Sequence, residues 1–417
     1  MADHYEPAED SLMLLRHVKD HAHGLVLDMG AGSGILAVEA AKHARLVIAA
    51  DITLAAVRAA AKASRKEGLN NLLAVHSDLF SFIRKRGIKE KALILGADLA
   101  EGFDLIIFNP PYLPNDKRAA DIAIDGGPHG HELIRGFLLE ASDHLKEEGR
   151  ILLLFSSLTG KSRVDQAAYD AMLEFELLEE KRIFFESLYV YLIRKSQLLA
   201  ELHKRGIRGV RLLARGRHGT VFSGLMGRKT VAIKVDGAVS CAQREAYWLG
   251  IMNRHGLAPR LITSSQDCPV SFLVMELIQG KPILEFLANS DKGTCCKIIL
   301  RILRALALMD RLGINKEELH RPVKHIIIRG QGARARPVLI DFERCSRSSK
   351  PKNLRQFIQF LCSARLRHVL NGKGITVSAG DVRTLRSLCM SYKYCDCDKA
   401  CSEALQDIMS GIRRILS

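Results

Sequence analysis

Short, nearly unbroken apolar runs alternate with helical patterns through the first half of the chain. Leu25-Val26-Leu27, Leu46 to Ala50, Leu73-Ala74-Val75, Phe103 to Phe108 and Tyr189 to Ile193 each read as buried strands. Runs that are apolar on both faces belong to sheets covered by helices on both sides. An amphipathic helix pattern precedes the first of them, through Leu12, Leu14, Leu15 and Val18, with Asp10 or Ser11 placed to cap it. The expected architecture is an open, Rossmann-like α/β sheet, whose ligands bind at the carboxyl ends of the strands.

The pattern changes in the second half. A glycine hairpin, Leu213 to Phe222, is followed by the strand Thr230-Val231-Ala232-Ile233-Lys234. A helix then carries Gln243-Arg244-Glu245-Ala246, Ser271 to Ile278 reads as a strand running into a hinge, and Val338-Leu339-Ile340 reads as another strand. Asn353 to Leu370 reads as one amphipathic basic helix. This half is expected to be α+β. Ser196 to Lys204 looks helical rather than Pro/Gly/Ser-rich, so the two halves are expected to be stiffly joined. Residues 81–99, with Arg84-Lys85-Arg86, read as an extra loop or helix in the first half.

Charge sharpens this division. Through Lys195 the chain carries 24 Lys and Arg against 29 Asp and Glu, a balance of −5; the remaining 38 and 17 give +21. All ten cysteines also lie beyond Lys195, starting at Cys241. Two properties changing at one place predict two modules, 1–195 and 196–417. The basic half is suited to RNA, a ribosomal surface or an acidic protein, or is simply a solvated basic face. No apolar run is long enough to cross a bilayer, and Met1-Ala2-Asp3-His4 opens no signal peptide. A cytosolic protein without membrane contact is expected, with reduced thiols. Cys389, Cys395, Cys397 and Cys401 cluster near the end, but lack the paired spacing of common structural zinc sites.

The chemistry of the first module lies at its predicted strand ends. Asp28 leads into Gly30, Gly32 and Gly34, a sharp turn that permits close approach of a ligand. Asp51, about twenty residues on, is placed for ribose hydroxyls. Asp78, followed by Leu79, is placed to accept from an adenine amino group. Asp28 is positioned to face a cationic part of a cofactor. Carboxylates at successive strand ends suit S-adenosylmethionine better than a phosphate-bearing dinucleotide. Phe103 to Phe108 then delivers Asn109-Pro110-Pro111-Tyr112, a stiff turn with two missing N–H donors. The Asn109 side-chain oxygen and the Pro110 carbonyl are left as acceptors beside the flat face of Tyr112. Such a corner suits a planar –NH2 group, on a carboxamide or a nucleobase.

Together these motifs, with the opening Tyr5-Glu6-Pro7-Ala8-Glu9-Asp10-Ser11 and the segment Ile124-Asp125-Gly126-Gly127-Pro128-His129-Gly130, resemble class I methyltransferases. The resemblance is to the archaeal and eukaryotic branch of the HemK-type glutamine methyltransferases, over about Tyr5 to Arg194. It implies methylation of the glutamine in the Gly-Gly-Gln loop of a class I release factor. It also implies that Ser11, Asp28, Gly30, Asp51, Asp78 and Leu79 hold the cofactor, that Asn109 touches cofactor and substrate, and that a small zinc-binding activator protein assists. Nucleic-acid adenine methylation, with a pseudokinase as binding module, and protein-lysine methylation are the competing readings.

The second module resembles protein kinases, most closely the small RIO-like ones. Gly216 and Gly219 lie in the hairpin, Lys234 on the next strand, Glu245 on the helix, and Asp341 in Asp341-Phe342-Glu343 where a Mg2+ ligand is needed. The resemblance implies ATP and Mg2+. Ala214 stands where the first loop glycine is usual, and Glu343 where a glycine follows Asp-Phe. Aligning His320-Arg321-Pro322 with the catalytic loop leaves no carboxylate. Aligning Lys316-Glu317-Glu318-Leu319 makes Glu318 the carboxylate and brings Lys324 or His325 near the usual metal-binding Asn; Ile326-Ile327-Ile328 then follows as a short strand, which favours this register.

Overall fold

A computed structural model describes residues 9–110, 131–183, 185–216, 219–236, 239–265, 270–393 and 398–416. The chain forms two compact units, residues 1–213 with 223–229, and residues 214–222 with 230–417.

In chain order the first elements are α1 (Glu9–His21), β1 (Leu25–Met29), α2 (Ile35–Ala41), β2 (Leu46–Asp51), α3 (Leu54–Lys66), β3 (Leu72–His76), α4 (Arg86–Ile94), β4 (Phe103–Phe108), α5 (Glu132–His144), β5 (Leu145–Ser156), α6 (Lys161–Asp170), β6 (Leu173–Ile183), β7 (Glu186–Lys195) and α7 (Gln197–Lys204). The sheet runs β3-β2-β1-β4-β5-β7-β6, with β1 to β5 parallel and β7 antiparallel to both its neighbours. This is the class I methyltransferase fold. Tyr189 to Ile193 lies inside the sheet rather than at its edge, because β6 and β7 form a hairpin that folds back.

β1 and β2 are buried throughout, as their apolar runs require. One face of the sheet packs Val26, Val47, Leu105 and Ile107 against Met13, Leu14 and Val18 of α1 and Ala37 and Ala40 of α2. Phe108 meets Phe137 of α5, their ring centroids 4.2 Å apart. Chain order reverses between β1 and β4, and Asp28 and Met29 pair with Ile107 and Phe108 there. The loop after β1 and Asn109 after β4 therefore emerge side by side at the switch point, where such sheets hold ligands. Helix α1 begins at Glu9, so Asp10 and Ser11 occupy its first turn instead of capping it.

Further along come β8 (Ile207–Arg215), β9 (Gly219–Met226), β10 (Lys229–Asp236), α8 (Val239–Asn253), β11 (Leu261–Ser264), β12 (Ser271–Glu276), β13 (Lys281–Pro282), α9 (Ile283–Ala288), α10 (Lys292–Arg311), β14 (Ile314–Lys316), β15 (Ile326–Arg329), β16 (Arg336–Leu339), β17 (Cys345–Arg347), α11 (Asn353–Leu361), α12 (Ala364–Asn371), α13 (Ala379–Lys393) and α14 (Asp398–Leu416). A five-stranded sheet runs β11-β12-β10-β9-β8. The rest is mainly helical, giving an α+β layout. Its core centres on α10, whose Ile298, Ile302, Leu306 and Met309 recur at helical spacing and are fully or almost fully buried. The basic pattern beyond Asn353 is two helices, not one. Ser363 interrupts it, accepting from the Leu366 N–H to start α12. Cys401 is disulfide-bonded, which corrects the expectation of ten reduced thiols; Cys395 and Cys397 lie outside the described residues. Among the described residues no helix is long and apolar enough to cross a membrane.

One tie between β1 and β4 depends on a missing side chain. The Asp104 carboxylate accepts from the Leu25 N–H at 2.7 Å and from Lys146 Nζ at 2.9 Å. Gly24 sits beside it at φ 58°, and a Cβ there would collide with that carboxylate. Gly24→Ala should therefore cost about 2 kcal/mol of stability, seen as a lower thermal midpoint by circular dichroism. An unchanged midpoint would contradict the assignment.

Candidate functional site

The loop after β1 is built by hydrogen bonds that only a glycine-rich backbone permits. Gly30 and Gly34 adopt φ of 69° and 84°, and a Cβ on Gly34 would lie 2.7 Å from Ala60 Cα. The N–H groups of Gly30 and Ala31 both donate to the Ala50 carbonyl, at 2.8 and 3.1 Å. Gly32, at φ 52°, donates to Asp51 Oδ2 at 3.1 Å. Asp51 Oδ1 accepts from the N–H and hydroxyl of Thr53, at 2.8 and 3.0 Å. Asp51 thus latches the loop as well as facing the crevice. A carboxylate has about four acceptor positions, so capacity for a hydroxyl remains.

Asp28 is 1% exposed, and its Oδ2 has no hydrogen-bond partner. Burial raises its carboxyl to about 7, against the lowering effect of a hydrogen bond from the Ala37 backbone. A buried acceptor left unpaired is costly, and a cationic ligand would relieve it.

Asn109 leaves β4 half-buried. Its Nδ2 donates to Asp10 Oδ2 at 3.2 Å and lies 3.5 Å from Ser11 Oγ. Asp10 is itself buried, and its Oδ1 accepts from the Ser11 N–H at 2.6 Å. An ionised carboxylate can only accept, so the –NH2 of Asn109 must face it. Its Oδ1 is left buried without a partner. The sequence reading singled out Ser11 and missed Asp10 as the group that aims Asn109; 99 residues separate the two, and no local pattern links them. Asp78 is exposed beyond β3, and Leu79 follows at φ 40°. Pro110 is buried. Pro111, Tyr112, the residues 5–8 and the segment 124–130 lie outside the described residues.

The second unit brings Glu245 and Asp341 together around the ammonium of Lys234. Lys234 Nζ lies 2.7 Å from Glu245 Oε2, 3.1 Å from Asp341 Oδ1 and 3.0 Å from Glu343 Oε2. Burial opposes its charge, but Glu245 and Asp341 outweigh it and hold the lysine above its ordinary value. Glu245 is 1% exposed, and its Oε1 accepts from the Phe342 N–H at 3.0 Å. The same residue therefore anchors both the lysine and the Asp341-Phe342 backbone. Burial works against ionised Asp341, yet Lys234 and Lys316 hold its carboxyl below the usual range. Lys316, buried on β14, donates to the Asp341 carbonyl. Glu318 Oε1 is 2.8 Å from an Arg344 guanidinium nitrogen, and Glu318 Oε2 is 3.3 Å from His325 Nε2. Burial and Lys316 hold His325 below its ordinary value. Gly216 donates to the Gly219 carbonyl at 2.8 Å, closing the hairpin; residues 217–218 lie outside the described residues. Glu343 and Lys316 complete this cluster and were not predicted for it. The exchange of glycine for Glu343 was the available signal for the first.

Residues 5–184 match the methyltransferase small domain family. Over 192 residues the chain is 32% identical to the "Putative protein N5-glutamine methyltransferase" of Methanocaldococcus jannaschii, covering 45% of this chain and 89% of that protein. It is 31% identical over 169 residues to the eRF1 methyltransferase catalytic subunit of Schizosaccharomyces pombe, 35% of this chain and 70% of that one. Bacterial glutamine methyltransferases acting on ribosomal protein uL3 or on release factors match over 43% and 56% of their length. Among solved structures, the bifunctional kinase-methyltransferase WbdD aligns with 98% of this chain and 89% of its own, at 15% identity and TM-score 0.40. The chain belongs to the family of class I methyltransferases that includes the protein N5-glutamine methyltransferases, and is an S-adenosylmethionine-dependent methyltransferase.

Asp28 makes pH a probe of the site. Its folded carboxyl titrates near 7 against an ordinary 3.8, so the folded state favours the protonated form. The corresponding stability is full below about pH 4 and is lost as pH rises through about 7. Without added cofactor, thermal midpoints from pH 5 to 8 should fall in the wild type and flatten in Asp28→Asn. Equal slopes in the two proteins would contradict this.

Proposed function

We propose that the methyltransferase, residues 1–195, transfers a methyl group to the side-chain amide nitrogen of the Gly-Gly-Gln glutamine in a class I release factor. The observation that carries this reading is the orphan Oδ1 of Asn109, buried without a partner while its Nδ2 is held by Asp10. A substrate carboxamide is a planar –NH2 donor, and this oxygen is an acceptor with a fixed aim. The names of the archaeal and bacterial relatives support a glutamine as the target, and that of the fission-yeast relative supports eRF1 as the kind of protein that carries it.

The residues present fit the cofactor. Asp28 is an uncompensated buried carboxylate suited to its cationic end, the positive-φ glycines give backbone access, and Asp51 and Asp78 provide acceptors for ribose and adenine. Ser11 and Leu79 would complete that contact. When bound, S-adenosylmethionine supplies an electrophilic methyl on sulfur. An amide nitrogen is a weak nucleophile, because its lone pair is delocalised. The task of this chain is therefore alignment, which is worth several kcal/mol. Asn109 Oδ1 and the Pro110 carbonyl would each accept one N–H of the substrate amide, turning its nitrogen toward the methyl. Pro111 and Tyr112 would stiffen and floor that pocket. Asp10 would position Asn109 without touching the substrate.

The −5 balance through Lys195 disfavours nucleic acid as the methylated partner of this half. The designation of the fission-yeast relative as a catalytic subunit supports a companion protein, for which a small zinc-binding activator is the proposed partner. A translation-factor substrate would place the enzyme in the cytoplasm. For residues 196–417 we propose a RIO-like kinase module. Gly216 and Gly219 would cover ATP phosphates and Lys234, held by Glu245, would clamp them. Asp341 would hold an accompanying divalent cation, and Glu318 would be the catalytic carboxylate. The basic surface of this half would serve contact with the ribosome or RNA.

With tritiated S-adenosylmethionine and purified release factor, label should enter the Gly-Gly-Gln protein and not its Gly-Gly-Ala variant. Asn109→Ala should cut transfer at least about 100-fold while the cofactor still binds. Asp10→Asn, which permits the amide to flip, should cut it about tenfold. Full activity in Asn109→Ala would overturn the reading.

A further inference from the structure

The outer surface of α10 carries charge of one sign. Its solvent-exposed residues are Lys292, Gly293, Lys297, Arg304 and Arg311, so every side chain it exposes to water is a base. Lys297, Arg304 and Arg311 recur every seven residues, which puts them on one side of the helix at intervals of about 10 Å. Arg301, half-buried between the first two, belongs to the same row. The one acid of the helix, Asp310, is directed at α11, where it accepts from the Asn353 and Leu354 N–H groups at 3.0 and 3.2 Å. Like charges three or four positions apart on a helix repel, and ordinary surface helices interleave acids among them. No acid is interleaved in this row.

Two neighbouring elements add to it. The Arg301 guanidinium donates to the Ala335 carbonyl, which fixes the β15–β16 hairpin beside α10. Arg329 and Arg336 pair directly across that hairpin, Arg334 stands in the turn between them, and all three are exposed. Opposite residues of a ladder project from the same face, where like charges are unfavourable. Glu276 takes up Arg329 and leaves the other two. On α14, Arg413 is exposed. Burial pushes the half-buried Cys296 thiol up, while Arg413 and Lys297 both pull it down, which sets these two cations near one sulfur of α10. Lys297, Arg304, Arg334, Arg336 and Arg413 have no ion-pair partner among the described residues.

What the patch lacks narrows its partner. Among the described residues the exposed large hydrophobic side chains of this unit are Tyr247 on α8 and Met390 on α13, so none lies on α10, α14 or the hairpin. The patch offers no apolar side chain to enter a bilayer and no aromatic ring on which an unpaired base could stack. It offers guanidinium groups, whose planar fork matches phosphate oxygens, at a repeated interval that suits a polymer of evenly repeated charge better than an acidic protein surface. We propose that this surface binds the phosphate backbone of double-stranded RNA, recognising its shape and not its bases. The proposal gives a place and a form to the RNA contact of the second unit, and its choice of RNA over DNA rests on the reading that the first unit serves a translation factor.

The test is fluorescence anisotropy of the full-length protein with a labelled RNA duplex of about 20 base pairs. Wild type should bind, with an affinity that falls about 100-fold between about 50 and about 200 mM salt. Lys297→Ala combined with Arg304→Ala should weaken binding about tenfold or more and lower the slope of log affinity against log salt by about 2. Both side chains are exposed, and thermal melting confirms that the variant folds. Arg244→Ala combined with Arg254→Ala removes the same charge on and just after α8, and should change affinity less than about twofold. Equal losses in the two double variants would overturn the proposal, because net charge alone would then account for binding. So would a wild-type protein that leaves the duplex unbound at about 100 mM salt, or one that binds single-stranded RNA or a DNA duplex of the same sequence more tightly. Binding to phosphatidylserine vesicles or to polyglutamate that the Lys297 and Arg304 substitutions weaken to the same extent would overturn it too. Methyl transfer does not enter this readout, so either reading can fail alone.

Discussion

An ionised carboxylate has no proton to give, and the first unit depends on that constraint. Asp10 accepts from the Asn109 –NH2, so the amide has one orientation and its oxygen is left buried without a partner. The sheet delivers Asn109 to the switch point, and α1 delivers Asp10 to meet it. Without the carboxylate the amide could rotate by half a turn and present donors in place of an acceptor. The β1–β4 register sets Asn109 two residues beyond the strand partner of Asp28, whose buried carboxyl is pushed up to about 7.

The same logic, repeated with different groups, organises the second unit. Glu245 accepts from Lys234 with one oxygen and from the Phe342 N–H with the other, so one buried side chain fixes two functional segments at once. Glu318 lies between Arg344, 2.8 Å from one oxygen, and His325, 3.3 Å from the other, and so links two segments in the same way.

Much of this was legible in the chain and some could not be. Apolar runs such as Phe103 to Phe108 announce buried strands because both faces are covered, and Gly30, Gly32 and Gly34 announce a turn needing positive φ. Lys234, Glu245 and Asp341, singled out as far apart in the chain as residues 234 and 341, do meet in the structure. Pairings between distant residues left no trace. Asp10 looked like a helix cap, since a cap and a buried acceptor use the same residue type at nearly the same position. The break between α11 and α12 was hidden because apolar spacing continues through Ser363. The inward fold of β7 was hidden because chain order does not state which edge a hairpin joins.

Glu343 changes the electrostatics of the nucleotide clamp that the sequence resembles. Around Lys234 one ammonium faces three carboxylates, while Arg344 Nε lies 4.0 Å from Glu343 and Lys316 donates to the Asp341 carbonyl. Any anion that reaches for this lysine must compete with carboxylates already beside it, a competition to which Glu343 adds one more rival than a glycine would.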